Sequence, residues 1–166
     1  MLLKVFSTVF LSALAAGSRD VPAVDRSNCI AGETVVFSCS SGKKTISLCA
    51  SPGRSQEPYV EYRFTHVSAN TAFSYRADIR ATDRMFNRAT IVGASSASTV
   101  IWFMNAGYVY EINDPVKGTP SVSVFKDGKQ VGANTCTGNY LGDTETPSAF
   151  IRQQTSGAYF EAVHQR

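Results

Sequence analysis

The chain has 166 residues, with sixteen Lys and Arg against thirteen Asp and Glu, for a formal net charge of +3. The charges are scattered, and no Lys/Arg run of the kind that tracks phosphates occurs, which argues against a nucleic-acid partner. The chain has no apolar run of membrane length.

Met1-Leu2-Leu3-Lys4 places one positive charge ahead of an apolar run from Val5 to Ala15, broken only by Ser7, Thr8 and Ser12. Ala13-Leu14-Ala15 then supplies the small-x-small pattern that signal peptidase requires. A run this short falls well below the ~20 residues needed to span a bilayer. Residues 1–17 are therefore expected to be a cleaved leader, with maturation near Ala16 or Ser18. No cysteine lies at the cleavage region, so lipid attachment is not expected. The expected product is a single domain over 18–166, periplasmic or secreted, with no transmembrane segment.

Four cysteines follow, Cys29, Cys39, Cys49 and Cys136. An even number in an exported chain reads as two disulfides, and the spacings do not offer the close pairs of a zinc site. Glu33 to Cys39 is β-branched and aromatic, Ser40–Lys43 has turn chemistry, and Lys44 to Cys49 alternates, so this segment predicts a hairpin. A tight turn leaves Cys39 beside it and Cys49 at the far end near Thr34, about 15 Å away at the rise of a strand residue. A Cys39–Cys49 bridge needs a looser connection, and the preferred pairing is Cys29–Cys49 with Cys39–Cys136.

Pro58 to Phe64 alternates aromatics with charges, as a half-buried strand does. Ala72–Ala77 and Ala89–Val92 are weaker strand signals, and Ala81–Asn87 is long enough for one or two helical turns. Thr99–Phe103, Asn105-Ala106-Gly107 and Tyr108–Ile112 predict a second hairpin. Ser121–Phe125, with Asp127-Gly128 and the run toward Cys136, predicts a third. Beyond Cys136 the loop formers Gly138, Gly142 and Pro147 suggest a loosely structured extension over 137–166. The sum is an all-β protein, a single antiparallel β-sandwich or barrel-like domain stapled by disulfides.

Catalytic chemistry is thinly represented. His66 and His164 are the only histidines, no serine sits in a nucleophile-elbow motif, and no cysteine is left over as a thiolate. Glu57 with Glu61 and Asp143 with Glu145 are the carboxylate pairs that glycoside hydrolysis would use, but each is more simply a solvated charge. No metal-binding motif is present, so no catalytic residue, metal or cofactor is assigned. Tyr59, Tyr62, Phe64, Trp102, Phe103, Tyr108 and Tyr110 lie on strands, where half of an alternating set fills the core and the rest offers a stacking surface for sugars. Gly93-Ala94-Ser95-Ser96-Ala97-Ser98 is a run of six small residues between strong strands. It reads either as a plain flexible loop or as a slim projection able to enter a narrow cleft.

The order of these features resembles a family of small bacterial periplasmic proteins, the inhibitors of invertebrate-type lysozyme. The resemblance is carried by Phe37-Ser38-Cys39, Gly42-Lys43-Lys44, Ser47-Leu48-Cys49 and Tyr59-x-Glu61-Tyr62-Arg63-Phe64. It continues through the small-residue loop at 93–98, Val100–Phe103, Gly107-Tyr108-Val109-Tyr110, Val122–Phe125, Asp127-Gly128-Lys129 and Cys136. It implies a β-sandwich whose Ser/Gly loop enters the lysozyme cleft, with Ser95 and Ser96 as donors and Gly93 supplying the bend. Where the family has a Ser-Gly-Gly-Gly run, this chain has Ala94-Ser95-Ser96-Ala97. Ser156-Gly157-Ala158-Tyr159 matches the short Ser-Gly-x-Tyr pattern linked to inhibition, which adds Ser156 and Tyr159 as partner-binding candidates, although they lie outside the matched region. The expectation is a non-enzymatic, exported binding protein with a protein partner, a lysozyme foremost. A carbohydrate- or envelope-binding module and a plain interaction domain are the alternatives.

Overall fold

The computed structural model describes residues 27–81, 83–137 and 140–164; the expected leader lies outside them. Ten strands and one helix follow in order: β1 Thr34–Ser41, β2 Lys44–Ala50, β3 Tyr59–His66, β4 Thr71–Asp78, β5 Phe86–Val92, β6 Ala97–Asn105, β7 Tyr108–Pro115, β8 Ser121–Lys126, β9 Lys129–Thr135, β10 Ile151–Gln153 and α1 Ser156–His164. The first sheet runs β1-β2-β3-β4 and the second β10-β5-β6-β7-β8-β9. Among the described residues no helix is long and apolar enough to cross a membrane.

Local turn chemistry sets the three expected hairpins. Gly42 (φ 60°) opens the β1–β2 turn, Ala106 and Gly107 (φ 50° and 78°) form the β6–β7 turn, and Asp127 and Gly128 (φ 50° and 71°) form the β8–β9 turn. Positive φ at both central residues of the β6–β7 and β8–β9 turns, and at the first of β1–β2, matches the right-handed twist of the flanking strands. Cys39 pairs with Ile46 and Val35 with Cys49, so the two cysteines of this hairpin sit at opposite ends. The bonds are Cys29–Cys49 and Cys39–Cys136, the preferred pairing.

The two sheets face each other across an aromatic core. Phe103 of β6 stacks on Tyr75 at 4.2 Å and on Tyr110 at 4.8 Å between ring centroids, and meets Tyr62 and Phe86 at 5.1 and 5.2 Å. Val36, Phe37, Ile46, Leu48 and Val60 of the first sheet close on Ile101, Ile112, Val122 and Ile151 of the second.

Two expectations are corrected. None of the described residues from 81 to 87 is helical. The Asp78 carboxylate accepts hydrogen bonds from the Arg80 and Ala81 amides at 2.9 and 3.0 Å, a side-chain turn that competes with helix. Fully buried Phe86 then starts β5. The described residues after Cys136 do not form a loose extension either. Leu141 exchanges backbone hydrogen bonds with Ser38 and so covers the β1 edge, β10 pairs in parallel with β5, and α1 lies on the outer face of the second sheet. The sandwich is antiparallel everywhere except at β10.

The close approach at the β1 edge makes glycine necessary at position 142. Its φ is +118°, and a Cβ there would lie 2.5 Å from the Val36 carbonyl oxygen and 2.8 Å from the Phe37 nitrogen. Gly142→Ala is expected to lower stability by about 1–3 kcal/mol from backbone strain. Urea denaturation checks this, with Gly53→Ala, at a position with open space around it, as the neutral control.

Candidate functional site

Strands β5 and β6 pair as far as Val92 opposite Ala97, and the four residues between them turn the chain. The Gly93 amide donates to the Ser96 carbonyl at 2.8 Å, which closes the loop. No residue of this tip has a positive φ, so its shape is open to any L-residue, and the bend does not depend on Gly93. Residues 93–96 are all exposed. The Ser96 hydroxyl makes one long contact, to the Ala97 carbonyl at 3.4 Å, and the Ser95 hydroxyl bonds nothing among the described residues. The tip is therefore a narrow projection with hydroxyl groups available to a partner.

Its base is apolar. Val92 and Val116 are 77% and 75% exposed, and the Val116 amide donates to the Ala97 carbonyl at 2.8 Å, which holds the β7–β8 connection against the hairpin. A cleft opens on the same end of the sandwich, lined among others by Thr99, Asp114, Val116, Tyr140, Asp143 and Glu145. Thr144 donates to Asp114 and Thr99 to Glu145, both at 2.8 Å. Burial and the neighbouring Asp114 and Asp143 carboxylates push the Tyr140 hydroxyl above the usual phenol range. Two exposed valines and the carboxylates of Asp114, Asp143 and Glu145 thus stand beside the tip.

Ser156 and Tyr159 are not part of this surface. Both belong to α1; Ser156 is exposed at its first turn, while Tyr159 packs against Trp102, with ring centroids 5.5 Å apart. The Tyr159 hydroxyl donates to Glu111 Oε2 at 2.5 Å. Among the described residues no hydrogen bond or ring contact joins them to residues 93–96.

The strand aromatics are committed elsewhere. Tyr62, Trp102 and Phe103 are buried, and Phe64 and Tyr110 pack against the core. The Arg76 guanidinium lies 3.6 Å from the centre of the Tyr59 ring, and the Lys126 ammonium 5.0 Å from that of Tyr108. A cation on the ring occupies the face that a sugar would stack on. The carboxylate pairs are likewise engaged. Glu57 is ion-paired with Arg80, Glu61 with Arg63, and Glu145 approaches Arg88 at 3.9 Å. His66 ends β3 opposite Lys44 and Thr71, and His164 stacks on Phe160.

Sequence reasoning missed a buried charge cluster on the outer face of the first sheet. Arg63 grips Glu33 with two hydrogen bonds, Nη1 to Oε2 and Nη2 to Oε1, both 2.7 Å. It also bonds Glu61 and the Asn28 carbonyl, while Tyr59 donates its hydroxyl to Glu33. Burial pushes the Glu33 carboxyl up, but the bonds from Arg63, Tyr59 and the Ile30 amide outweigh it and hold the group below the ordinary carboxylate range. The Glu33 carboxylate also lies close to the sulfurs of Cys29 and Cys49, which are bonded to each other and offer no thiolate to a metal. The signal was the alternation Tyr59, Glu61, Arg63 on one face of β3; the partner Glu33, thirty residues away, carried none. No protein-family model, no curated protein and no solved structure matches the chain.

Proposed function

We propose that this chain is an exported, non-catalytic binding protein that inserts its β5–β6 tip into the active-site cleft of a lysozyme. The observation that carries this reading is the tip itself, four exposed small residues with an unengaged Ser95 hydroxyl at the end of a paired hairpin. A glycosidase must keep two carboxyl groups accessible at the bottom of its cleft. Hydroxyl and backbone N–H donors on a slim loop reach such groups without clashing with the walls, and hydrogen bonds to a charged acceptor are the stronger kind. Exposed Val92 and Val116 at the base add apolar area at the cleft rim. The resemblance in motif order to the inhibitors of invertebrate-type lysozyme supports the same reading. Two disulfides fit an oxidising compartment outside the cytoplasm, and the leader-like N-terminus supports delivery to the periplasm or the medium.

The test is a lysis assay with purified mature protein against invertebrate-, chicken- and goose-type lysozymes. Inhibition of one class is expected. The double change Ser95→Ala and Ser96→Ala should weaken it by about ten-fold or more, since a hydrogen bond to a charged group contributes about 1.5–3 kcal/mol. Full lysozyme activity with the protein in excess over all three classes would refute the proposal. Glycan binding by the strand aromatics is less well supported, because Tyr59 and Tyr108 already carry cations on their rings.

A further inference from the structure

Helix α1 is a short element resting on an apolar face that lies away from the tip. Its nine residues are too few for a stable helix in water. Thr155 caps it, accepting from the Ala158 amide at 3.2 Å, and Val163, Tyr159 and Ala162 seat it over Ala89, Val100, Trp102 and Val109 of the second sheet. The helix therefore depends on the sheet. Among the described residues the one polar contact in this seat joins Tyr159 to Glu111 of β7, a residue only 5% exposed.

We propose that α1 is a pH-sensitive cover, held on the second sheet in acid and loosened as pH rises because Glu111 beneath it ionises. Trp102 and Ser123 flank Glu111 in the sheet, and Gln130 of β9 reaches Ser123. From α1 only Tyr159 faces the carboxyl; Glu161 and His164 are exposed. Lys126 and Asp127 belong to the β8–β9 turn, where Lys126 lies over Tyr108. Among the described residues no cation pairs with Glu111. Burial accordingly pushes its carboxyl above the ordinary range, against the smaller opposing effect of the Tyr159 bond. A carboxyl with a raised folded-state pKa contributes stability that is complete below its unfolded value and is lost as pH rises through the folded one. When α1 lifts, Glu111 regains water, so ionisation favours the open form. Opening uncovers Val100, Trp102 and Val109 as an apolar surface.

Trp102 is the only tryptophan in the chain, so its fluorescence reports the seat directly. From about pH 5 to about pH 9, acrylamide quenching of Trp102 is expected to rise by about two-fold or more, while exchange protection of the α1 amides falls by a similar factor. Glu111→Gln, which keeps the shape and removes the charge, should flatten both profiles. His164→Gln should leave them unchanged, excluding a histidine titration at the helix end. Tyr159→Phe should lower protection across the range while keeping the pH dependence. A flat wild-type profile, or a transition that persists in Glu111→Gln, overturns the proposal.

Discussion

Replacing Arg63 with alanine is expected to destabilise the domain by about 3–5 kcal/mol, the cost of leaving a buried carboxylate without its counter-charge. The Glu33 side chain is 1% exposed, and Arg63 supplies both of its ionic hydrogen bonds. Removing the guanidinium leaves Tyr59 and the Ile30 amide as donors, with Glu61 losing a partner as well. The Asn28 carbonyl also loses its Arg63 bond, which loosens the segment that Cys29 ties to β2. The sign of the pH dependence separates charge from packing. In the native protein the Glu33 carboxyl is held low, so its contribution is present above the ordinary carboxylate pKa and is lost as pH falls through the folded value. In Arg63→Ala burial is opposed only by the Tyr59 and Ile30 bonds, so the Glu33 pKa rises and protonation relieves the penalty. The stability gap between variant and native protein, measured by urea denaturation, should therefore be widest near about pH 7 and should narrow toward about pH 3. A gap of constant size would mean that lost packing of the Arg63 stem dominates. Combining Arg63→Ala with Glu33→Gln should recover part of the loss at neutral pH, since the unpaired charge is then gone.

How far the fold could be read ahead depended on how local its causes are. Turns such as Ala106-Gly107 and Asp127-Gly128 act within four residues, and alternation in β3 or β6 acts within one strand, so the hairpins and the all-β class were legible. The register that parts Cys39 from Cys49 also argued against one of the three disulfide pairings, but it did not choose between the other two. Features that need two distant segments were not legible. Gly142 must be glycine because of Val36 and Phe37, and neither neighbours it in sequence. Helix α1 offers only Tyr159 and Val163 as spaced anchors, and its stability comes from the sheet beneath. For the candidate site, the small residues at 93–96 announced a slim loop, but the bend assigned to Gly93 is not forced there. The flanking Val92 and Val116 emerged only once β7 was placed beside β6.

Removing the Cys39–Cys136 bridge is expected to cost more than removing Cys29–Cys49, although both are buried. The first closes a span of 97 residues and the second a span of 20. By loop-closure entropy the two contribute about 4.7 and about 3.3 kcal/mol respectively. Their places in the fold sharpen the contrast. Cys29–Cys49 ties the segment before β1 to the outer face of the first sheet, where Asn28 also bonds Ser47 and Arg63. That segment has other anchors. Cys39 faces the core from β1, whereas Cys136 follows β9 of the other sheet, so their bond joins the two layers near the covered β1 edge. The Lys44 ammonium reaches Asn134 at 2.8 Å beside it, a part-exposed contact of the kind that contributes about 1 kcal/mol or less. The double substitution Cys39→Ala and Cys136→Ala should therefore lower the urea midpoint further than Cys29→Ala with Cys49→Ala. It should also raise exchange at the Ser38, Thr137 and Leu141 amides, which bond across that edge, while the β6–β7 amides stay protected at the level of the global unfolding free energy. An equal fall in stability for the two pairs would show that loop length does not govern this fold and that local strain or residual denatured-state structure does.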